Sequence, residues 1–62
     1  MENSIEIKDK LTIAIVELNR DDKVTMPRIA RHTGYTLKDI QMFHEEGLIN
    51  SIMDSLNIER VC

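Results

Sequence analysis

The stretch MPRIARHTGYTLKDIQMFHEEGLI, residues 26–49, predicts two short helices joined by a tight turn. Pro27 suits the first turn of a helix, where no backbone N–H is needed, and the hydroxyl of Thr25 can cap that helix. Gly34 ends it, because a tight helix exit requires the left-handed conformation that glycine adopts without strain. We therefore expect the first of the two helices over about residues 25–32.

The second helix of this stretch carries its own start and stop signals. Thr36 and Asp39 have the spacing of a capping box, in which each side chain accepts a hydrogen bond from the other residue's backbone. Gly47 can end the helix in the way that Gly34 ends the first one. We expect this helix over about residues 36–46. Three of its apolar side chains are expected to face the core: Leu37, Ile40 and Phe43.

Two short helices with a Gly-containing turn suggest a helix-turn-helix. The helices of this motif cross closely, so a small residue must stand where they touch and apolar residues must face the core. Ala30 lies four residues before Gly34, while Ile29, Ile40 and Phe43 stand at the apolar positions. All the required positions hold acceptable residue types, so the spacing supports the motif.

A longer helix is expected before the motif, over about residues 3–19. Asn3 followed by Glu6 is typical of a helix start, and the polar run 19–23 closes the helix as a turn. The apolar residues recur at helical spacing along one face: Ile7, Leu11, Ala14, Ile15 and Leu18.

A shorter helix is expected after the motif. Leu48 and Ile49 are interpreted as buried connectors, and a capping signal at Ser51 predicts a last helix over about residues 51–57. Residues 58–62 are expected to be frayed or extended. The predicted fold is a single all-α domain over residues 1–62, a small bundle of three or four helices that contains the helix-turn-helix.

Composition and length exclude several classes of protein. A chain of 62 residues, 42% hydrophobic and 31% charged, has one modest core and little room for a large catalytic cleft. Cys62 cannot form an internal disulfide, and His32 and His44 lack partners at metal-ligand spacing. The three serines, Ser4, Ser51 and Ser55, have no His in local register, and no Gly-rich phosphate loop occurs. We expect no enzyme activity, no metal and no cofactor.

The sequence also predicts where the protein acts. No run approaches the roughly 18 apolar residues of a membrane span. The first ten residues, MENSIEIKDK, lack the basic and apolar regions of a signal peptide. We therefore expect an intracellular, cytoplasmic protein that does not interact with membranes.

The net charge of −3 on its own argues against a nucleic-acid partner, but the charge is unevenly distributed along the chain. Residues 1–22 hold six acids and three bases, and residues 45–62 hold four acids and one base, so each segment carries −3. Residues 23–44 hold four bases and one acid and carry +3. The basic segment coincides with the helix-turn-helix, which keeps double-stranded DNA as a candidate partner.

If the motif binds DNA, the second of its helices presents the residues that read bases. We predict these to be Thr36, Lys38, Gln41 and Met42. The residues predicted to hold phosphates are Lys23, Arg28, Arg31, Tyr35 and His44. For Arg28 and Arg31 a solvated helix face is the open alternative. Asp39 and Glu45 oppose phosphate binding, so we expect one copy to bind weakly and two copies to act together.

Residues 26–49 resemble the opening helix-turn-helix of MerR-type transcription regulators without a gap, down to the F-x-E-E-G-L-I ending. The resemblance implies a helix that enters the DNA major groove and a small wing after the Gly-Leu pair. Gln41 and Met42 stand where that family usually has Arg-Tyr. The preceding helix and the run VTM-x-x-IA-x-x-x-G, residues 24–34, are similar to TetR-type DNA-binding domains. Both resemblances imply the same three-helix DNA-binding core.

The first helix has more apolar residues than one small core requires. Ile5, Ile13 and Val16 widen its apolar stripe, so it is either wedged between several neighbours or forms a contact between copies. We expect a transcriptional regulator acting as a homodimer or multimer, comparable to the small regulators of phages and mobile elements. The alternative is a protein-interaction module, like an antirepressor or inhibitor, whose acidic flanks bind another regulatory protein.

Overall fold

A computed structural model of the protein describes residues 4–58, which contain four helices and no strand. The helices are α1 (Ser4–Arg20), α2 (Met26–Thr33), α3 (Leu37–Glu45) and α4 (Leu48–Ser55). The predicted small all-α bundle is confirmed. The signals predicted at Asn3 and beyond residue 58 lie outside the described residues.

The helices form a closed ring of contacts. In the described part of the chain, α1 packs on α2, α2 on α3, α3 on α4, and α4 returns to α1, with no close backbone approach across either diagonal. The bundle measures 30 × 21 × 18 Å along its principal axes. This arrangement places α3 between α2 and α4 and leaves its opposite side open to solvent.

All four helices contribute to a single apolar core. No polar or charged residue in the range 4–58 is classed as buried. Each fully buried large aliphatic side chain stabilises the fold by roughly 1.5–3 kcal/mol relative to an exposed one. The core consists of Leu11, Ala14, Ile15, Ile29, Ala30, Ile40, Phe43, Ile49, Ile52 and Met53.

The first helix ends in the predicted polar turn, although α1 itself extends through Arg20. Asp22 adopts the left-handed conformation with φ 55°. The N–H of Lys23 then donates to the carbonyl of Leu18 at 3.0 Å, which satisfies one of the helix's last free carbonyls. Asn57, with φ 57°, closes the end of α4 in a similar way.

The predicted side-chain cap at Thr25 is wrong. Thr25 is the N-cap residue of α2 by its extended backbone, but its hydroxyl makes no capping hydrogen bond. An N-cap side chain accepts from the second or third N–H of a helix, and Pro27 at the second position has none. Only the N–H of Arg28 remains for such a bond. Thr25 instead contributes its carbonyl, which accepts from Ile29 N–H at 2.9 Å.

The predicted inward position of Leu37 is also wrong, because its side chain is 43% exposed. Leu37, Ile40 and Phe43 follow one another at intervals of three. Each such step falls about 60° short of a complete helical turn, so the two steps from Leu37 to Phe43 spread the three residues over about 120°. Ile40 and Phe43 are buried, and Leu37 is left at the edge of the core.

The last helix begins three residues earlier than predicted. Leu48 and Ile49 are its first turn rather than connectors, and it ends at Ser55 rather than 57. Gly47, with φ 83°, redirects the chain within one residue and serves as the N-cap, since its carbonyl accepts from Ser51 N–H at 3.0 Å. The wing implied by the MerR-type resemblance does not form at this position, which α4 occupies.

Candidate nucleic-acid interface

The turn between α2 and α3 is fixed by local hydrogen bonds. Gly34 has φ 85°, as predicted, and its N–H donates to the carbonyl of Ala30 at 2.9 Å. The hydroxyl of Thr33 donates to the Ile29 carbonyl at 2.8 Å and accepts from Tyr35 N–H at 3.3 Å. These bonds connect the end of α2 to the chain that leads into α3, so the two helices hold a defined relative position.

The predicted capping box at the start of α3 is confirmed. The hydroxyl oxygen of Thr36 accepts from Asp39 N–H at 3.1 Å, and the Asp39 carboxylate accepts from Thr36 N–H at 3.4 Å. Two of the first free N–H groups of α3 are thereby satisfied. The Thr36 hydroxyl therefore acts first as a helix cap, which leaves its proton and one lone pair for another group.

The outer face of α3 brings three of the predicted base-reading residues together. Lys38, Gln41 and Met42 are exposed and line one groove of about 370 Å³. Asp39 and Glu45 line the same groove. The groove thus contains one cationic and two anionic side chains. The exposure of Lys38, Gln41 and Met42 suits a helix that inserts into a partner, but the charge of the groove does not attract phosphate.

The outer face of α2 carries the basic side chains. Arg28 and Arg31 are both exposed, at the three-residue spacing that places them on one side of the helix. Together with Leu18 and His32 they line a second groove, of about 160 Å³, where α1 meets α2. The predicted phosphate-binding pair therefore lies beside α1, in a different groove from the α3 residues.

His32 has a partner that helical spacing on its own element could not reveal. Its Nε2 lies 2.5 Å from the Glu17 carboxylate, which belongs to α1. The two side chains are 34% and 52% exposed, so this pair is worth at most about 1 kcal/mol. Its role is to join α1 to α2 beside the arginine groove. No local sequence pattern predicts this contact, because the two residues are 15 positions apart.

The other predicted phosphate contacts have different surroundings. The Tyr35 ring is half-buried and packs edge-on against Phe43, with centroids 5.7 Å apart, while the Lys10 ammonium lies 5.6 Å from its centroid. His44 is half-buried on α3, and Lys23 is exposed in the turn after α1. Tyr35 thus helps to hold α3 in the bundle.

No protein-family model, curated protein or solved structure matches this chain. The function of this chain is therefore inferred from the geometry of residues 4–58. Within that range, no group of three or more His, Cys, Asp or Glu side chains is arranged to hold a metal ion. Of the four helices described, none is both long and apolar enough to cross a membrane.

The residues predicted for self-association lie on the outside of α1. Ile5 is 72% exposed and Ile13 is 57% exposed, while Val16 is half-buried. The core-facing side of the same helix is formed by other residues, among them Leu11 and Ile15. The helix therefore has two apolar sides, and the rest of residues 4–58 covers one of them.

Proposed function

We propose that this protein is a small DNA-binding transcriptional regulator in which α2 and α3 form a helix-turn-helix and α3 enters the major groove. The observation that carries the proposal is the α3 face of Lys38, Gln41 and Met42. It is exposed on a helix whose start is fixed by a capping box and a left-handed Gly34. The resemblance of residues 26–49 to MerR-type regulators, and of the preceding segment to TetR-type domains, supports the same assignment.

The exposed residues of α3 have side chains suited to base edges. Lys38 can donate to the guanine acceptors in the major groove, and Gln41 can pair with adenine through both its donor and its acceptor. Met42 can lie against a thymine methyl group. A good bidentate pair discriminates against the wrong base by about 1–3 kcal/mol, so Gln41 would contribute most to sequence preference.

Arg28 and Arg31 are proposed to hold the DNA backbone. In a helix-turn-helix the first helix crosses the backbone while the second lies in the groove, which corresponds here to α2 and α3. Phosphate contacts fix the register of the protein without reading sequence. Lys23, exposed in the turn before α2, is the third proposed phosphate contact.

This proposal requires two copies, because the charges on one copy would give it only a weak affinity for DNA. Glu45 lies seven residues after Lys38 and lines the same groove, so the reading helix meets DNA with an unfavourable local charge. A dimer doubles the phosphate and base contacts on one site. The proposed regulator acts in the cytoplasm, where bacterial and phage DNA is accessible.

The test is a titration of binding to mixed duplex DNA over a series of salt concentrations. For each phosphate contact, the slope of log affinity against log salt is about −0.9. Arg28→Gln combined with Arg31→Gln should therefore make the slope less negative by about 1.8. The matched control is Lys8→Gln, which removes an exposed positive charge from α1 and should leave the slope unchanged.

Two results would contradict DNA binding. One is no detectable binding at low salt by protein whose circular dichroism shows it to be folded. The other is an equal change of slope in the arginine variant and the Lys8→Gln control, which would indicate a general charge effect and no defined contact.

The second candidate function is a protein-interaction module that binds another regulatory protein through the α3 groove. The presence of Asp39 and Glu45 beside Lys38 favours it, as does the net charge of −3. A folded protein that fails to bind DNA at low salt would favour this alternative over the first proposal.

A further inference from the structure

The outer side of α1 carries a continuous stripe that the bundle leaves uncovered. Ile5, Asp9, Ile13, Val16 and Arg20 are spaced by four, four, three and four residues, which places them on one helix face. Four of them are exposed and Val16 is half-buried. Within the described residues, Asp9 and Arg20 have no ion-pair partner on their own chain. The stripe thus combines exposed apolar groups with two unpaired charges of opposite sign.

The order of residues in the stripe is self-complementary. Ile13 and Val16 flank the point midway between Ala14 and Ile15 at equal distances along the helix. Asp9 and Arg20 flank the same point, also at equal distances and further out. A twofold axis through this point would therefore place each residue of a pair opposite the other residue of that pair on a second copy. This is the condition for an interface in which one patch contacts itself.

We propose that α1 pairs with α1 of a second copy in antiparallel orientation, with the twofold axis near residues 14 and 15. Ile13 then packs against Val16 of the second copy, and Asp9 of each copy pairs with Arg20 of the other. Antiparallel helices packed in this way cross at a small angle, near 20°, which keeps contact along most of α1. The ion pair between Asp9 and Arg20 of the other copy therefore forms twice because of the symmetry.

Charge order distinguishes this arrangement from a parallel one. In a parallel pair, Asp9 would face Asp9 and Arg20 would face Arg20, and both contacts would be repulsive. The antiparallel pair converts all four charges into attractive contacts at the edges of an apolar centre. The inference rests on the self-association included in the proposed function but is independent of DNA, so it is tested without DNA.

The experiment is sedimentation of the full chain over a concentration series under reducing conditions, using charge-reversal variants. Asp9→Arg alone makes both contacts Arg against Arg, and Arg20→Asp alone makes both contacts Asp against Asp. Each single variant should weaken dimer affinity by about tenfold or more, because two symmetry-related contacts change sign. An equimolar mixture of the two variants should regain dimers, since every contact between unlike copies is then attractive.

The combined variant Asp9→Arg with Arg20→Asp is the internal control for the order of charges. It restores both attractive pairs within one kind of chain and should dimerise like the natural sequence. Arg20→Asp places a negative charge in the last turn of α1, where it opposes the helix dipole. Thermal unfolding by circular dichroism therefore accompanies each measurement, and variants are compared at a temperature at which all are folded.

The apolar centre is tested separately with Ile13→Ser. This residue is 57% exposed in the single chain, so the variant should fold normally and lose self-association. Met42→Ser, on the 47% exposed side chain of α3, is the matched control and should dimerise normally. A natural sequence that remains monomeric at all concentrations would overturn the proposal. So would single charge variants that dimerise normally, or folded single variants whose mixture stays monomeric.

Discussion

Replacing Gly34 with Ala should destabilise the fold through backbone strain alone. Gly34 has φ 85°, and a Cβ built on it meets nothing within 4 Å. The left-handed conformation costs a non-glycine residue about 1–2 kcal/mol. Ala also restricts the unfolded chain, which offsets about 0.4–1 kcal/mol of that cost. The expected net loss in the free energy of unfolding is therefore about 1 kcal/mol, with no contribution from a steric clash.

The measurements are thermal and urea unfolding, both followed by the circular dichroism of the helices. A loss of about 1 kcal/mol corresponds to a fall of about 4–8 °C in the melting temperature of a domain this small. The slope of the free energy of unfolding against urea concentration should not change, because the difference in exposed surface between the folded and unfolded states stays the same. Gly34→Asn should cost less than Gly34→Ala, since Asn adopts the left-handed conformation more readily.

Gly47 provides the matched comparison. Its φ is 83°, and an added Cβ again meets nothing within 4 Å. Gly47→Ala should therefore cost nearly the same as Gly34→Ala. Backbone strain would be excluded as the cause if Gly34→Ala proved neutral, if Asn were worse than Ala at position 34, or if the two glycines differed by several kcal/mol.

Two further predictions concern the cap and the core. Thr36→Ala should cost about 1 kcal/mol because the Thr36 hydroxyl caps α3, whereas Thr25→Ala should cost little because its hydroxyl makes no capping bond. Equal losses of unfolding free energy in the two variants would count against the capping assignment. Ile40→Ala should cost about 2–5 kcal/mol because it opens a cavity in the core, whereas Met42→Ala, on the exposed face, should change stability by less than about 0.5 kcal/mol. A thermal unfolding series on both variants checks this difference, and similar melting temperatures would contradict it.

The parts of the fold that the sequence predicts well are those with local causes. The stripe of Leu11, Ala14 and Ile15 repeats at helical spacing, and these residues are buried as the pattern indicates. The left-handed Gly34 and the capping box follow from residue chemistry within a few positions. Each of these features depends on interactions inside one segment, so one segment is enough to predict them.

The features that the sequence did not predict depend on geometry or on distant residues. Pro27 has no N–H that could donate to the Thr25 hydroxyl. Leu37 lies at the edge of the core because steps of three residues are shorter than one helical turn. The early start of α4 follows from the way Gly47 both ends one helix and begins the next. The Glu17 contact with His32 requires knowing how α1 packs on α2.

Only part of the candidate interface could be predicted from the sequence. The pattern selected Lys38, Gln41 and Met42, and the structure places these three side chains in one groove. The pattern could not show that Arg28 and Arg31 lie in a separate groove beside Leu18, because that position depends on how α1 and α2 pack. The functions assigned to these side chains remain predictions.

The contact between α4 and α1 has a consequence for the order in which the chain folds. Every other pair of touching helices in residues 4–58 is adjacent in sequence, whereas this pair is separated by the whole of α2 and α3. Closing that long loop is the costly entropic step, and contacts between neighbouring segments form faster. We expect α4, whose Ile49 and Met53 are buried in the core, to dock against α1 late in folding and to be the first helix to detach when the protein opens. Because α4 also packs against α3, a substitution that weakens the packing of α4 would allow α3 to change its orientation before the rest of the bundle unfolds.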